Sequence, residues 1–120
     1  MSPLFRRGPG RLSPREAHRL VAAGQAVLLD VRETAEWNAG HAPGALHLPL
    51  TRLLAGAPLP AATRGSRVVV VCRSGNRSRT AADVLSAAGC EATDVAGGMT
   101  AWARQGLRVI DGNGGGGVKA

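Results

Sequence analysis

Cys72 opens an eight-residue stretch, Cys72-Arg73-Ser74-Gly75-Asn76-Arg77-Ser78-Arg79, in which three arginines and a glycine follow one thiol. A cysteine reacts as its thiolate, and cationic neighbours and helix N-termini favour that form over the thiol. Gly75 permits a left-handed turn and Asn76 tolerates one. Successive amides in such a turn make a nest for an anion. The stretch therefore predicts a cradle for negative charge with a nucleophile at its first position. That is equipment for two-step covalent transfer of a group from an anionic donor. In ordinary surroundings a cysteine at a strand end is a small apolar filler. Cys90, which directly follows the helix stop Gly89, is read that way. His41 lies in the turn Gly40-His41-Ala42-Pro43-Gly44 and is expected to brace it by hydrogen bonding. An ionised thiol needs no base beside it, so neither His41 nor His47 is given a catalytic part.

The elements on either side of the loop are the clearest in the chain. Arg67–Cys72 contains four consecutive valines and reads as a buried strand. Arg77–Ala88 reads as a helix, with Ala81, Leu85 and Ala88 on one face and Gly89 as its stop. Upstream, Ser13, Pro14 and Glu16 form a capping-box start. Ala17, Leu20 and Val21 supply an apolar stripe that ends at Gly24. Ala26–Val31 is a second buried strand, 33–39 a short helix carrying Trp37, and Ala45–Leu48 a short strand. Arg52–Ala55 is a helical turn and 56–66 a loop. Thr93–Ala96 is a further strand, Gly97-Gly98 a tight turn, and Met99–Arg104 a last helix whose Met99 and Trp102 belong to the core. Strands alternating with helices predict an α/β domain with a mostly parallel sheet. In such a sheet ligands bind beyond the carboxyl ends of the strands. Asp30 and Arg32 share that edge with Cys72.

The 120 residues carry fifteen basic and eight acidic side chains, a net charge of +7, and 44% hydrophobic residues. That supports one packed domain over 12–110, a basic arm over 1–11 and a glycine-rich tail over 111–120 that need not fold. Arg6, Arg7 and Arg11 read as a solvated arm. With two tryptophans, one phenylalanine and no tyrosine, platforms for stacking on nucleic-acid bases are lacking, and no nucleic-acid partner is expected. The longest purely apolar run, Val68–Cys72, is far too short for a membrane span. Two cysteines make no disulfide framework, and no Cys/His cluster has metal-ligand spacing. A cytoplasmic domain with reduced thiols, no metal and no cofactor is the expectation.

The motifs Leu28-Leu29-Asp30-Val31-Arg32-Glu33, Glu36-Trp37, Gly40–Ala45, the Cys72–Ser78 loop and Gly97-Gly98-Met99-Thr100-Ala101-Trp102 come in one order and at one spacing. Over about residues 12–110 they resemble the single-domain rhodanese-like sulfurtransferases. The resemblance implies a five-stranded, mostly parallel sheet flanked by helices on both faces. It also implies a Cys72 that carries sulfane sulfur as a persulfide. Arg73, Ser74, Gly75, Asn76, Arg77 and Ser78 would bind the donor, and Asp30 and Arg32 would support the loop. A cation after the cysteine leans toward thiosulfate, with cyanide, a thiol or a thiol protein as acceptor. A persulfide carrier that docks on a protein partner shares these residues. Phosphatases and arsenate reductases of the same fold are disfavoured, because the phosphatase loop places its arginine one residue later than Arg77.

Overall fold

The computed structural model describes residues 11–111 and 118–119. Strand β3 (Arg67–Val71) is its axis, because β-branched residues in an unbroken run favour extended backbone and can be covered on both faces. It lies between β1 (Val27–Asp30) and β4 (Glu91–Asp94), and β2 (Leu46–His47) extends the other side of β1. The order is β2-β1-β3-β4, and all three pairings are parallel. Side chains alternate across the sheet. Val69 and Val71 join one apolar layer with Leu28, Leu20 and Trp102, while Val68 and Val70 join the other with Leu29, Leu53 and Leu85.

Helices cover both faces, as the sequence implies. Helix α1 (Pro14–Ala22) opens with the full Ser13–Glu16 capping box, and α2 (Thr34–Ala39) follows β1. Helix α3 spans Leu50–Leu54, starting two residues before the expected turn. The cause is Pro49, whose carbonyl accepts from Leu53 while the Leu50 amide bonds Val31. Helix α4 (Asn76–Ala87) leads from the cysteine loop into β4, and α5 (Gly98–Arg104) follows the double glycine.

Two expectations are modified. The fifth strand is a single parallel bridge from Leu12 to Val95 on the outer edge of β4, held by Leu12 N–H to Asp94 O and Ala96 N–H to Leu12 O. The strand expected from the sequence at 93–96 begins earlier, at Glu91, where Gly89 releases the chain from α4 and Glu91 pairs with Arg67. Arm residues 1–10 and tail residues 112–117 and 120 lie outside the described residues. Within the tail, Val118–Lys119 (β6) pair antiparallel with Val109–Ile110 (β5). No helix among the described residues is long and apolar enough to cross a membrane.

Candidate active site

Register brings the chemistry to one edge. Asp30 pairs with Val71, and Val70 with Asp94, so Arg32, Cys72 and Val95 all stand just past the carboxyl ends of their strands. Cys72 is 1% exposed. The chain then turns through Gly75, whose φ of 109° is left-handed, and enters α4. The Gly75 amide donates to the Cys72 Sγ at 3.1 Å, and the thiol in turn donates to Ser78 Oγ at 3.4 Å. The first-turn amides of α4 have no acceptor within the helix, which leaves them and the positive end of the helix dipole available to an anion at the loop.

The loop is held from behind by groups far away in sequence. Ser78 Oγ donates to Asp94 Oδ2 at 2.7 Å, and both residues are buried. Arg11 clasps the same carboxylate, Nε to Oδ1 at 3.0 Å and Nη2 to Oδ2 at 2.8 Å. Its Nη2 also donates to the Gly75 carbonyl at 2.7 Å. Both the hydrogen bonds and the charge of Asp94 raise the pKa of Arg11, so it remains a cation. Arg11 is thus a part of the domain, half-buried on the loop, and not the end of a solvated arm. Attraction to a buried carboxylate is the reason.

Helix α5 grips the loop from the other side. The amides of Met99 and Thr100 donate to the carbonyls of Cys72 (2.7 Å) and Arg73 (3.0 Å). Gly98 must be glycine for this approach. A Cβ there would run into both the Cys72 and Arg73 carbonyl oxygens.

The cations of the loop divide. Arg77 makes a two-pronged ion pair with Glu36, Nη1 to Oε1 at 2.6 Å and Nη2 to Oε2 at 2.8 Å. That pair, chiefly its hydrogen bonds, lowers the Glu36 pKa to about 2. The Arg73 side chain is exposed, and its guanidinium makes no hydrogen bond or ion pair with any described residue. Ser74 and Asn76 are likewise exposed at the turn. A cleft of about 250 Å³ runs beside the loop, lined by Arg32, Glu36, Arg73, Met99 and Thr100.

Asp30 and Arg32 do not bond to the loop. Arg32 clasps Asp30, with its shortest contact Nη2 to Oδ2 at 2.8 Å, and donates to the Gly40 carbonyl at 2.6 Å. They brace the turn at 40–44, and Arg32 reaches the site only as a wall of the cleft. His41 does fix that turn, its Nδ1 donating to the Trp37 carbonyl at 3.1 Å. Trp37 is stacked between His41 and His47, with ring centroids 3.5 and 4.5 Å away, which anchors α2 and so the position of Glu36. Cys90 is half-buried against the layer containing Leu85, at the opposite end of the sheet from Cys72. Among the described residues no cluster of three or more His, Cys, Asp or Glu could hold a metal ion.

Sequence reasoning missed Arg11, Glu36 and Asp94. The available signal was position. Asp94 is a carboxylate at the carboxyl end of a strand neighbouring the cysteine strand, where burial demands a partner.

A parallel sheet with a cysteine at the hinge between its central strand and a helix defines a class of anion-cradle α/β domains, and comparison with known proteins narrows it. The rhodanese-like domain model matches residues 13–105. The chain belongs to the rhodanese-like family. It is 36% identical over 94 residues to the adenylyltransferase and sulfurtransferase UBA4 of Yarrowia lipolytica, covering 78% of this chain but only 24% of that protein. Among solved structures, a rhodanese-related protein from Thermoplasma volcanium superposes with a TM-score of 0.72 at 26% identity, covering 83% of this chain and 96% of that one. Thiosulfate sulfurtransferase from Pseudomonas aeruginosa gives 0.73 at 27% identity, over 85% of this chain and 20% of that one.

Proposed function

We propose that the protein is a sulfurtransferase that moves sulfane sulfur from thiosulfate or a similar small anionic donor to cyanide or a thiol. The carrying observation is the Gly75 amide on the Cys72 sulfur at the head of α4. The Cys72 thiolate attacks the outer sulfur of the donor, the donor's S–S bond breaks, and sulfite leaves with the bonding electron pair. The outer sulfur stays on Cys72 as a persulfide anion, within reach of the loop amides and the helix terminus. Cyanide then attacks that sulfur, thiocyanate departs, and the thiolate is restored. No cofactor or metal takes part. Arg73, unpaired and on the wall of the cleft, is the cation suited to greet the donor. Arg77 instead fixes the loop through Glu36.

Delivery of the persulfide to a protein thiol is the second reading. It is favoured by the relation to UBA4, where the matching segment is 24% of a longer sulfurtransferase. A phosphatase reading loses further support, because Arg77 is turned onto Glu36 and the loop from Cys72 has no arginine at the phosphatase spacing. Thiocyanate production from thiosulfate and cyanide, compared between the protein and Cys72→Ala, tests the proposal. Turnover by the native chain and none by the variant is expected. Slow single turnover with cyanide but rapid multiple turnover with a protein thiol would favour the carrier.

A further inference from the structure

The Ser78 hydroxyl has one proton and two neighbours that can accept it. In the structure it gives the proton to Asp94 Oδ2 at 2.7 Å and receives the Cys72 thiol at 3.4 Å. When Cys72 ionises, its proton goes to solvent and the sulfur becomes an acceptor. A hydroxyl still turned to Asp94 then presents lone pairs to a negative sulfur. Turning it round costs Asp94 a hydrogen bond, and a carboxylate that is 3% exposed cannot replace it with water. Arg11 removes the obstacle. Its Nε and Nη2 occupy both Asp94 oxygens, so the carboxylate stays satisfied without Ser78. The same Nη2 holds the carbonyl of Gly75, whose amide already faces the sulfur.

We propose that Arg11 and Asp94 are positioning residues that free the Ser78 hydroxyl to turn from Asp94 to the Cys72 sulfur once that sulfur is a thiolate. The sulfur anion then meets two donors, the Ser78 hydroxyl and the Gly75 amide. Ser78 keeps its proton throughout and changes only its direction. The inference rests on Cys72 being the nucleophile, but not on the identity of the donor or acceptor.

The test is the rate at which iodoacetamide alkylates Cys72 at neutral pH, read by peptide mass so that Cys90 is scored separately. It is measured in the native protein, Arg11→Ala, Ser78→Ala and the double variant, with folding checked by circular dichroism. Arg11→Ala is expected to slow alkylation about tenfold, the size of a lost hydrogen bond to a charged group. Ser78→Ala should slow it similarly, and the double variant should be no slower than Ser78→Ala alone. Adding Asp94→Asn to Arg11→Ala should recover most of the native rate, since an amide holds the hydroxyl less tightly than a carboxylate does. Equal slowing by Arg11→Ala with and without Ser78 would mean that Arg11 acts by charge or through Gly75 alone, and would overturn the proposal. So would a folded Arg11→Ala with native reactivity. Should Arg11→Ala not fold, Arg11→Lys enters the same cycle, because one ammonium cannot span both carboxylate oxygens and Gly75; the same two outcomes then decide. Alkylation needs no sulfur donor. A chain with this coupling but no sulfur transfer would refute the proposed function and leave this inference standing, and the reverse result would do the opposite.

Discussion

Glu36 changes how the charges of the loop act. The sequence makes Arg73 and Arg77 equal candidates for an anionic donor, yet Arg77 is paired with a carboxylate 41 positions away. No local pattern carries that pairing, because it depends on α2 folding back over the loop. The consequence is an ordered set of kinetics. Arg73→Ala should lower kcat/KM for thiosulfate about tenfold at low ionic strength, and less with added salt. Glu36→Gln should lower sulfur transfer whatever the donor, because it breaks the ion pair through which Arg77 fixes the loop. Steady-state rates over a salt series check both, and unchanged rates in both variants would place Arg73 outside donor binding and the ion pair outside loop positioning. At Cys90 the expectation is different. Cys90→Ala should keep most activity with a modest loss of stability, measured by urea denaturation, because the thiol packs among apolar groups at the far end of the sheet. Cys72 and its turn were legible because they are contiguous. Arg11 and Asp94 were not, since 83 positions separate them and burial alone makes them a pair.

The loop is an element shaped by its neighbours. The double glycine at 97–98 reads in the sequence as a tight turn, but its purpose emerges only from the approach of α5 to the Cys72 and Arg73 carbonyls. Gly98→Ala should therefore lose stability by at least about 1–2 kcal/mol from backbone strain at φ 58°, and lose sulfur transfer as the loop is displaced. Gly24→Ala is the matching control, with φ 73° but open space around the new methyl, so its stability should fall while activity stays. Urea midpoints and transfer rates for the pair separate strain from loop displacement. Loop length makes a second prediction at this scale. One small residue inserted between Asn76 and Arg77 should sharply reduce sulfur transfer, because the arginine leaves Glu36 and the Gly75 amide leaves the sulfur. A folded insertion variant with native transfer rates would remove the argument from loop size.

At the scale of the molecule, the alternation of buried strands and helices was enough to give a parallel α/β sheet covered on both faces. The fifth strand was less legible. Leu12 forms only one bridge, so it has no run of residues from which to be read. The Glu36–Arg77 pair also reaches the whole fold through pH. Glu36 titrates near pH 2 in the folded protein against an ordinary value of 4.5, so the folded state binds its proton less readily than the unfolded chain does. The pair's contribution is complete above about pH 4.5 and is lost as pH falls toward 2. The difference in urea midpoint between the native protein and Glu36→Gln should accordingly be constant from neutral pH to about 5 and shrink below it. A difference that persists undiminished into strong acid would remove the ion pair as its source.

In the proposed function, Cys72 takes up one sulfur atom and gives it away. Intact mass after treatment with thiosulfate, before and after cyanide, tests it most directly. The expected result is a gain of one sulfur atom, located on the peptide containing Cys72, absent in Cys72→Ala, and removed by cyanide with release of thiocyanate. A native chain whose mass is unchanged by thiosulfate and by other sulfane donors, or whose added sulfur sits on Cys90, would contradict it.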